Sequence, residues 1–403
     1  MFRSDRQAGS WDMAALGAEL RRRGEAAGLA AVGIAPASPM ESVRQALEDR
    51  KAAGYAATMQ FTYRNPARST DPGRALLGAR SLVVGALWYG DGEAAPNGGA
   101  GDKAHVGSDS DALMPTRPRG TVARYASQDY YSRLRAALGA LADVLEQGGW
   151  ATRVLVDDNA LVDRAAAHRA GVGWFGKNAN ILLPGLGSWC VLGAVVTDAP
   201  LPTGREVADG CGACRRCLRA CPTGALVSPG VLDARRCLAW LLQAEGTFPF
   251  EYRAPLGDRI YGCDDCQETC PVNRQDGPVP AEVSQTGSRR AQVDLLEMLR
   301  APDRALLEQF GLWYIARRDP RYLRRNALIV LANCADGRSP EVEEVLEGYL
   351  SHPDEMLRAH AVWAAARLGR RDLLSRGKGL EEEGSAVVLE ELRRVDEVEP
   401  RTR

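Results

Sequence analysis

Two cysteine runs hold the residues best spaced for chemistry: Cys211-x-x-Cys214-x-x-Cys217-x-x-x-Cys221-Pro222 and Cys263-x-x-Cys266-x-x-x-Cys270-Pro271. The first has the bacterial ferredoxin spacing, in which three cysteines hold one 4Fe–4S cluster and the fourth reaches over to another. Two clusters need eight thiolates, and the second run is one short, because Ile260 stands where its first cysteine would be. Cys237 is the nearest spare. The spacing therefore assigns Cys211, Cys214, Cys217 and Cys270 to one cluster, and Cys221, Cys237, Cys263 and Cys266 to the other. Cys190 and Cys334 lie in apolar stretches and read as small buried hydrophobes. The competing reading, a pair of structural zinc sites, fits poorly, since zinc favours separated C-x-x-C pairs. The predicted chemistry is one-electron transfer through two clusters.

Other strings need weighing. Gly171-Val172-Gly173-Trp174-Phe175-Gly176 matches G-x-G-x-x-G, and with Lys177-Asn178 it nearly matches a P-loop. Both motifs require a strand just before the glycines. Leu161 to Arg169 follow helical spacing instead, so Gly171 reads as a helix C-terminus leading into a glycine-rich loop, one that could still approach a bulky cofactor closely. Asp157-Asp158-Asn159 precede that helix and read on spacing alone as caps. Arg317, Arg318, Arg321, Arg324 and Arg325 face only Asp319 within nine residues. Such a cluster can neutralise phosphates, and a solvated helix face is the plain alternative.

The elements that must position these residues are α+β in order. A helix and strand are expected over 11–35, a helix over 41–53, a buried strand over Ser81 to Leu87, a helix over 130–147 on Leu134, Leu138, Leu141 and Leu145, a strand over Ala151 to Val156, a helix over 160–170 and a strand over Trp189 to Thr197. Gly90 to Gly120 reads as a polar surface insertion or lid. These suggest an α+β domain over 1–200, a cluster domain over 201–290, and a helical domain over 291–375, with 376–403 an acidic, loosely ordered tail. In the helical domain the stripes Leu323-Ala327-Val330-Leu331 and Leu357-Ala361-Ala365-Leu368 suggest HEAT-like repeats, with a small helical bundle as the alternative.

At 403 residues with 45% apolar content, the chain can bury two or three cores. No run reaches the roughly 18 apolar residues of a membrane span, and no secretory leader is visible. Cluster-bound thiolates suit a reducing compartment, so a cytoplasmic protein is expected. The net charge of −1 identifies no partner by itself.

Several strings together resemble the epoxyqueuosine reductase family: Val156-Asp157-Asp158-Asn159-Ala160-Leu161-Val162-Asp163-Arg164, Ala170 through Asn178, Gly187-Ser188-Trp189, Arg124-Tyr125-Ala126 with Asp129-Tyr130, Cys221-Pro222-Thr223-Gly224-Ala225, Gly262-Cys263-Asp264-Asp265-Cys266-Gln267, and Arg325-Asn326-Ala327. The resemblance spans roughly residues 11–370 in order. It implies a cobalamin-binding α+β domain, a two-cluster ferredoxin-like domain and a HEAT-like domain that binds tRNA. The implied reaction reduces the epoxide of epoxyqueuosine at a tRNA wobble position to queuosine, the last step of queuosine biosynthesis. The chain departs from the family at Tyr131, where a histidine is usual, and in its long 90–120 insertion.

Opening and reducing an epoxide takes two electrons and a proton. Clusters deliver electrons singly, at potentials between about −700 and +450 mV, and a cobalamin cobalt can collect them and attack carbon. By family position Asp157 is the proton donor, which displaces the capping reading. An ordinary aspartate pKa near 3.9 must then be raised by desolvation. The resemblance also places Arg68, Tyr125, Arg164, Lys177, Asn178, Asn180, Ile181, Leu182 and Ser188 around the cofactor. For Arg164, pairing with Asp157, holding corrin amides and a plain surface charge stay open. The Arg317–Arg325 cluster becomes a tRNA surface. A low-potential electron donor and a monomer are expected. The competing functions are an electron-transfer module without cobalamin and a dehalogenase-like cobalamin enzyme.

Overall fold

The computed structural model describes residues 12–61, 63–90, 117–273, 291–376 and 383–401. Most of the 90–120 insertion and of the expected linker near 280 lies outside the described residues.

An antiparallel sheet organises the first two hundred residues, with strands Ala31–Pro36, Ser81–Trp88, Cys190–Thr197 and Thr152–Val156 side by side in that order. Side chains alternate between its faces. Ile34, Val83, Leu87, Val156, Val191 and Val195 meet the helices Met13–Ala26 and Tyr130–Gln147. Ala35, Leu82, Val84, Ala86, Leu155, Ala194 and Val196 meet the helix Asp163–Arg169 and its flanking loops. With both faces covered, Ser81 to Leu87 is buried at every position, which is why it reads as one apolar run. Gly85 and Gly193 pair across the two central strands. A Cβ on either would come within 2.9 Å of Leu138, so these glycines let the helix Tyr130–Gln147 settle onto the sheet. Asp129 caps that helix by accepting from the Ser132 N–H at 3.0 Å. Tyr130 and Tyr131 are thereby fixed at its first turn.

The cluster region holds only short elements, among them the helices Arg216–Ala220, Leu238–Leu241 and Asp265–Glu268. Beyond it, the described elements from Leu295–Arg300 to Ala386–Arg393 are all helices. The helix Glu355–Arg367 lies against Arg321–Cys334, Pro340–Leu350 and Ala386–Arg393 and is buried almost all round.

Two sequence expectations are corrected. Arg119 and Gly120, expected at the end of the insertion, belong instead to the strand Arg119–Val122. It is the middle strand of a small sheet, parallel to Arg259–Tyr261 and antiparallel to Gln292–Asp294, and so ties all three expected domains together. The expected loose tail beyond residue 376 is also wrong for residues 383–401. They carry the helix Ala386–Arg393, with Val388 fully buried, and Glu391 accepts from both terminal nitrogens of buried Arg253 at 2.8 and 2.5 Å. One apolar core runs from Val122 through Leu238, Phe248 and Ile260 into the helical domain. No described helix is long and apolar enough to cross a membrane.

Candidate active site

The thiols gather in two neighbourhoods. Burial raises the pKa of Cys217, and the charges of Cys270, Cys211 and Cys214 raise it further. Cys270 is raised by burial and then by Cys211 and Cys214. In the second group Cys266 is driven up by burial, then by Cys263, Cys237 and Cys221. Cys263 is pushed up to about 12, mainly by burial, with Cys237 contributing. Cys217 of the first group also acts on Cys266, so the two neighbourhoods lie close together. Buried, mutually repelling thiolates need a compensating positive centre, which cluster iron supplies. Among the described residues, no three His, Cys, Asp or Glu converge as they would on a single metal ion. A cubane bears its thiolates on separate irons and sets them further apart. The Ala225 N–H donates to Cys221 Sγ at 3.2 Å, the kind of bond that tunes a cluster's potential. Cys190 and Cys334 are each pushed up to about 12 by burial.

Asp157 ends the strand Thr152–Val156 in the left-handed region, at φ 51°. That backbone is costly for a non-glycine residue and concentrates at functional sites. It caps nothing: the next helix begins at Asp163 with Val162 as its cap residue, and Asp158 accepts the Ala160 N–H at 2.8 Å in a local turn. Asp157 keeps an open face, yet the surrounding protein partly desolvates its carboxyl and raises its pKa. Arg135 opposes that rise and Asp158 adds to it. Arg135 also donates to the Val156 carbonyl at 3.0 Å and steadies the strand end.

Sequence reasoning missed the company Asp157 keeps. Asp163 is driven well above the usual carboxylate range, by burial first and then by Asp157. Its Oδ1 is buried without a hydrogen-bond partner. Tyr131 is raised by burial and by the charges of Asp157 and Asp163. Arg164 donates to the Ala179 carbonyl at 3.1 Å rather than to Asp157, and its charge reaches Asp163, Cys190 and Cys237. It therefore links the carboxylate side to the second quartet. Aromatic rings line the same region. Tyr89 lies 5.1 Å from Tyr130 and 6.2 Å from Trp189, and Tyr125 lies 6.2 Å from Tyr261. Burial drives Tyr89 and Tyr125 well above the usual phenol range. The Val162-Asp163-Arg164 string held a signal for Asp163. Nothing local could have marked Tyr261 or Arg135.

The expected cofactor residues divide. Asp157, Tyr125 and Arg164 border the aromatic region. Arg68 is exposed, on a turn whose Ser69 carbonyl accepts the Val162 N–H at 3.0 Å beside Asp163. The others form a seam with the cluster domain. Lys177 donates to the carbonyls of Gly212 and Cys214 at 2.5 and 3.0 Å. Asn178 and Asn180 donate to Cys266 O and Gln267 Oε1 at 3.5 and 3.3 Å. Ser188 bonds Asn273 through its N–H and hydroxyl, and Ile181 and Leu182 are buried. Gly171 follows a helix rather than a strand, at φ 73°, as expected for a helix end. A Cβ there would fall 2.1 Å from Arg205 O, so this glycine accommodates the chain itself and not a cofactor.

The arginine cluster is corrected at Arg325. Arg325 is fully buried and donates to the carbonyls of Ala244, Gly246, Leu241 and Leu242, so it cannot touch a phosphate. Arg324 pairs with Asp303 at 2.5 Å, Arg321 with Asp319 and Asp354 at 2.8 and 3.4 Å, and Arg317 with Glu245 at 2.8 Å. A cavity of about 560 Å³ beside Arg321 and Arg324 is lined by these paired charges and by Arg300, itself paired with Glu344. It lies in the helical domain, away from the thiols.

Residues 210–273 match the 4Fe-4S double cluster binding domain family, and residues 311–402 match HEAT repeats. The chain is 32% identical over 375 residues to an epoxyqueuosine reductase of Bacillus cereus, covering 91% of this chain and 93% of the relative. It is 32% identical to one of Bacillus subtilis over 356 residues, 87% of each. The fold matches a crystal structure of epoxyqueuosine reductase with a tRNA-Tyr epoxyqueuosine-modified stem loop, at 30% identity and TM-score 0.80, covering 95% of this chain and 98% of that one. A Bacillus subtilis structure whose aspartate catalytic loop is swung out of the active site matches at 29% identity and TM-score 0.78, over 96% and 99% of the two chains.

Proposed function

The chain belongs to the epoxyqueuosine reductase family, and from that premise we propose that it takes the oxygen out of the epoxide of epoxyqueuosine in a tRNA anticodon loop, leaving queuosine. Its redox groups are two 4Fe–4S clusters, held by Cys211, Cys214, Cys217 and Cys270 and by Cys221, Cys237, Cys263 and Cys266, together with cobalamin. One observation carries this reading: Gly262, next to Cys263, lies against the Tyr125 ring, and Tyr125 lies 6.2 Å from Tyr261 in the aromatic region that the raised carboxyl of Asp157 borders. Electrons therefore end where a proton donor stands.

The residues suit a corrin. Its rim bears carboxamides, and the unpartnered Oδ1 of Asp163 is a buried acceptor waiting for a donor. Arg164, Arg68 and Tyr125 border the same place and would hold the group. Cobalamin, when bound, supplies a low-valent cobalt able to attack carbon. Removing an oxirane oxygen as water consumes two electrons and two protons, one proton more than ring opening alone. Asp157 gives the first proton to the oxirane oxygen as its C–O bond breaks, because desolvation favours its protonated form. Asp163, more strongly shifted, keeps a proton in reserve nearby. The buried tyrosines exclude water from the reacting carbon. An anticodon loop suits such a pocket, since an unpaired base is the cheapest to draw out of its stack. The electrons come from a low-potential donor protein, and the enzyme acts as a monomer.

The test is anaerobic incubation with an epoxyqueuosine-bearing anticodon stem-loop and a strong chemical reductant. The expected result is loss of one oxygen atom by mass, with corrin absorbance co-eluting with the protein on gel filtration. Iron-loaded protein that retains no corrin and leaves the stem-loop unchanged would reduce it to an electron-transfer module.

A further inference from the structure

Leu312 and Tyr314 are 72% and 59% exposed, although the segment that carries them is firmly held. Between them, Trp313 is buried and stacks on Tyr261, at 4.4 Å between centroids and 14° between planes. Its indole N–H donates to Ala126 O at 3.1 Å. The Tyr314 N–H donates to Tyr261 Oη at 2.8 Å. Tyr261 in turn lies 6.2 Å, centroid to centroid, from Tyr125, a ring of the proposed pocket. The exposed tyrosine is thus one ring removed from the catalytic pocket. Arg317 and Arg318 follow in consecutive left-handed conformations, at φ 52° and 56°. Two adjacent non-glycine residues in that region are strained. Arg318 spends its donors on the carbonyls of Gly311 and Leu307 at 3.0 and 3.5 Å, which orient the guanidinium and leave its positive charge in place.

We propose that Tyr314, with Leu312 beside it and Arg318 behind it, is a stacking platform for an unpaired nucleotide of the anticodon loop next to the modified one. This rests on the tRNA reading above. A loop that gives up one base to a pocket leaves its neighbours unstacked, and an exposed aromatic face at the pocket mouth replaces the lost partner. The fixed cation attracts the adjoining phosphate.

The experiment uses cluster- and corrin-loaded protein and the epoxyqueuosine stem-loop, with 2-aminopurine placed at each other loop position in turn. One position should be quenched on binding to the wild type. Tyr314→Ala should remove that quench and weaken binding by about five- to 150-fold, the usual worth of one aromatic–base stack. Tyr314→Phe should restore both. An abasic nucleotide at the quenched position should weaken the wild type and leave Tyr314→Ala no weaker. Arg318→Ala should lower the salt slope of binding by about one. Iron content checks that each variant is folded. If the wild type turns the stem-loop over and Tyr314→Ala binds equally well, or no position is quenched, the platform is overturned and the function stands. If the wild type neither binds nor turns over the stem-loop, the function reading fails first.

Discussion

At the scale of single residues the proposed chemistry turns on Asp157. Its place at a strand end is readable in the sequence, because Arg153 to Val156 is a plain apolar strand. Its left-handed backbone and its neighbours are not, since Tyr131, Arg135 and Asp163 come from other turns of the chain. A donor acts from its protonated form, and burial raises this carboxyl's pKa. Turnover is therefore expected to fall as pH rises through that raised pKa, and to be full below it. Asp157→Asn should cost about 10²- to 10⁴-fold in single-turnover rate, the usual worth of a positioned acid. It should also flatten the alkaline limb of the pH–rate profile, while iron, corrin and stem-loop affinity stay at wild-type levels. A variant that keeps the full rate removes Asp157 from the mechanism. The double-cluster domain was legible for a different reason: the spacing of the seven cysteines in the two runs is itself the constraint, and it can be read without tertiary information.

At the scale of elements, the helix Arg321–Cys334 shows what a linear sequence hides. Its apolar stripe on Leu323, Ala327, Val330 and Leu331 is buried as expected. Arg317 before it and its own Arg321 and Arg324 looked unpaired because Glu245, Asp354 and Asp303 lie elsewhere in the chain. Counting nearby charges could not separate a phosphate contact from a buried strut. Arg325 is such a strut. Burial lowers its pKa to about 9, and its guanidinium bridges the Leu241–Gly246 turn just after Cys237. Arg325→Ala leaves several carbonyls without donors and is expected to destabilise the protein by ~3–5 kcal/mol. Arg325→Lys should not rescue it, because one ammonium cannot span the fork. Anaerobic urea unfolding followed at the cluster absorbance measures both. Unchanged midpoints, with a reduced salt slope of tRNA binding, would return Arg325 to the phosphate surface.

At the scale of the whole molecule, the sequence divided the chain where composition changes, but the core does not divide there. Phe248, in the cluster region, is held at its N–H by the helical domain and at its carbonyl by Arg253 of its own region, which the last helix holds in turn. Its N–H donates to His360 Nε2 at 3.1 Å, and its carbonyl accepts from Arg253 Nε at 3.0 Å. Glu391 holds Arg253 from the last helix, in the stretch expected to be loose. No local pattern announces such a clamp, because its parts lie more than a hundred residues apart. His360 is fully buried, and its Nδ1–H donates to Met356 O at 2.7 Å. Burial first, then the positive charges of Arg253 and Arg325, hold its pKa well below the usual histidine value, with the Met356 carbonyl pulling the other way. The folded protein therefore refuses a proton that the unfolded chain accepts near pH 6.5. Stability must fall as pH drops below that value. Between pH 7.5 and 5.5 this one group should cost about 1.4 kcal/mol. His360→Gln can still accept from the Phe248 N–H but does not titrate, so its loss over the same range should be smaller by that amount. Anaerobic urea midpoints for both proteins at the two pH values measure the difference, and parallel losses would show that the clamp does not sense acid.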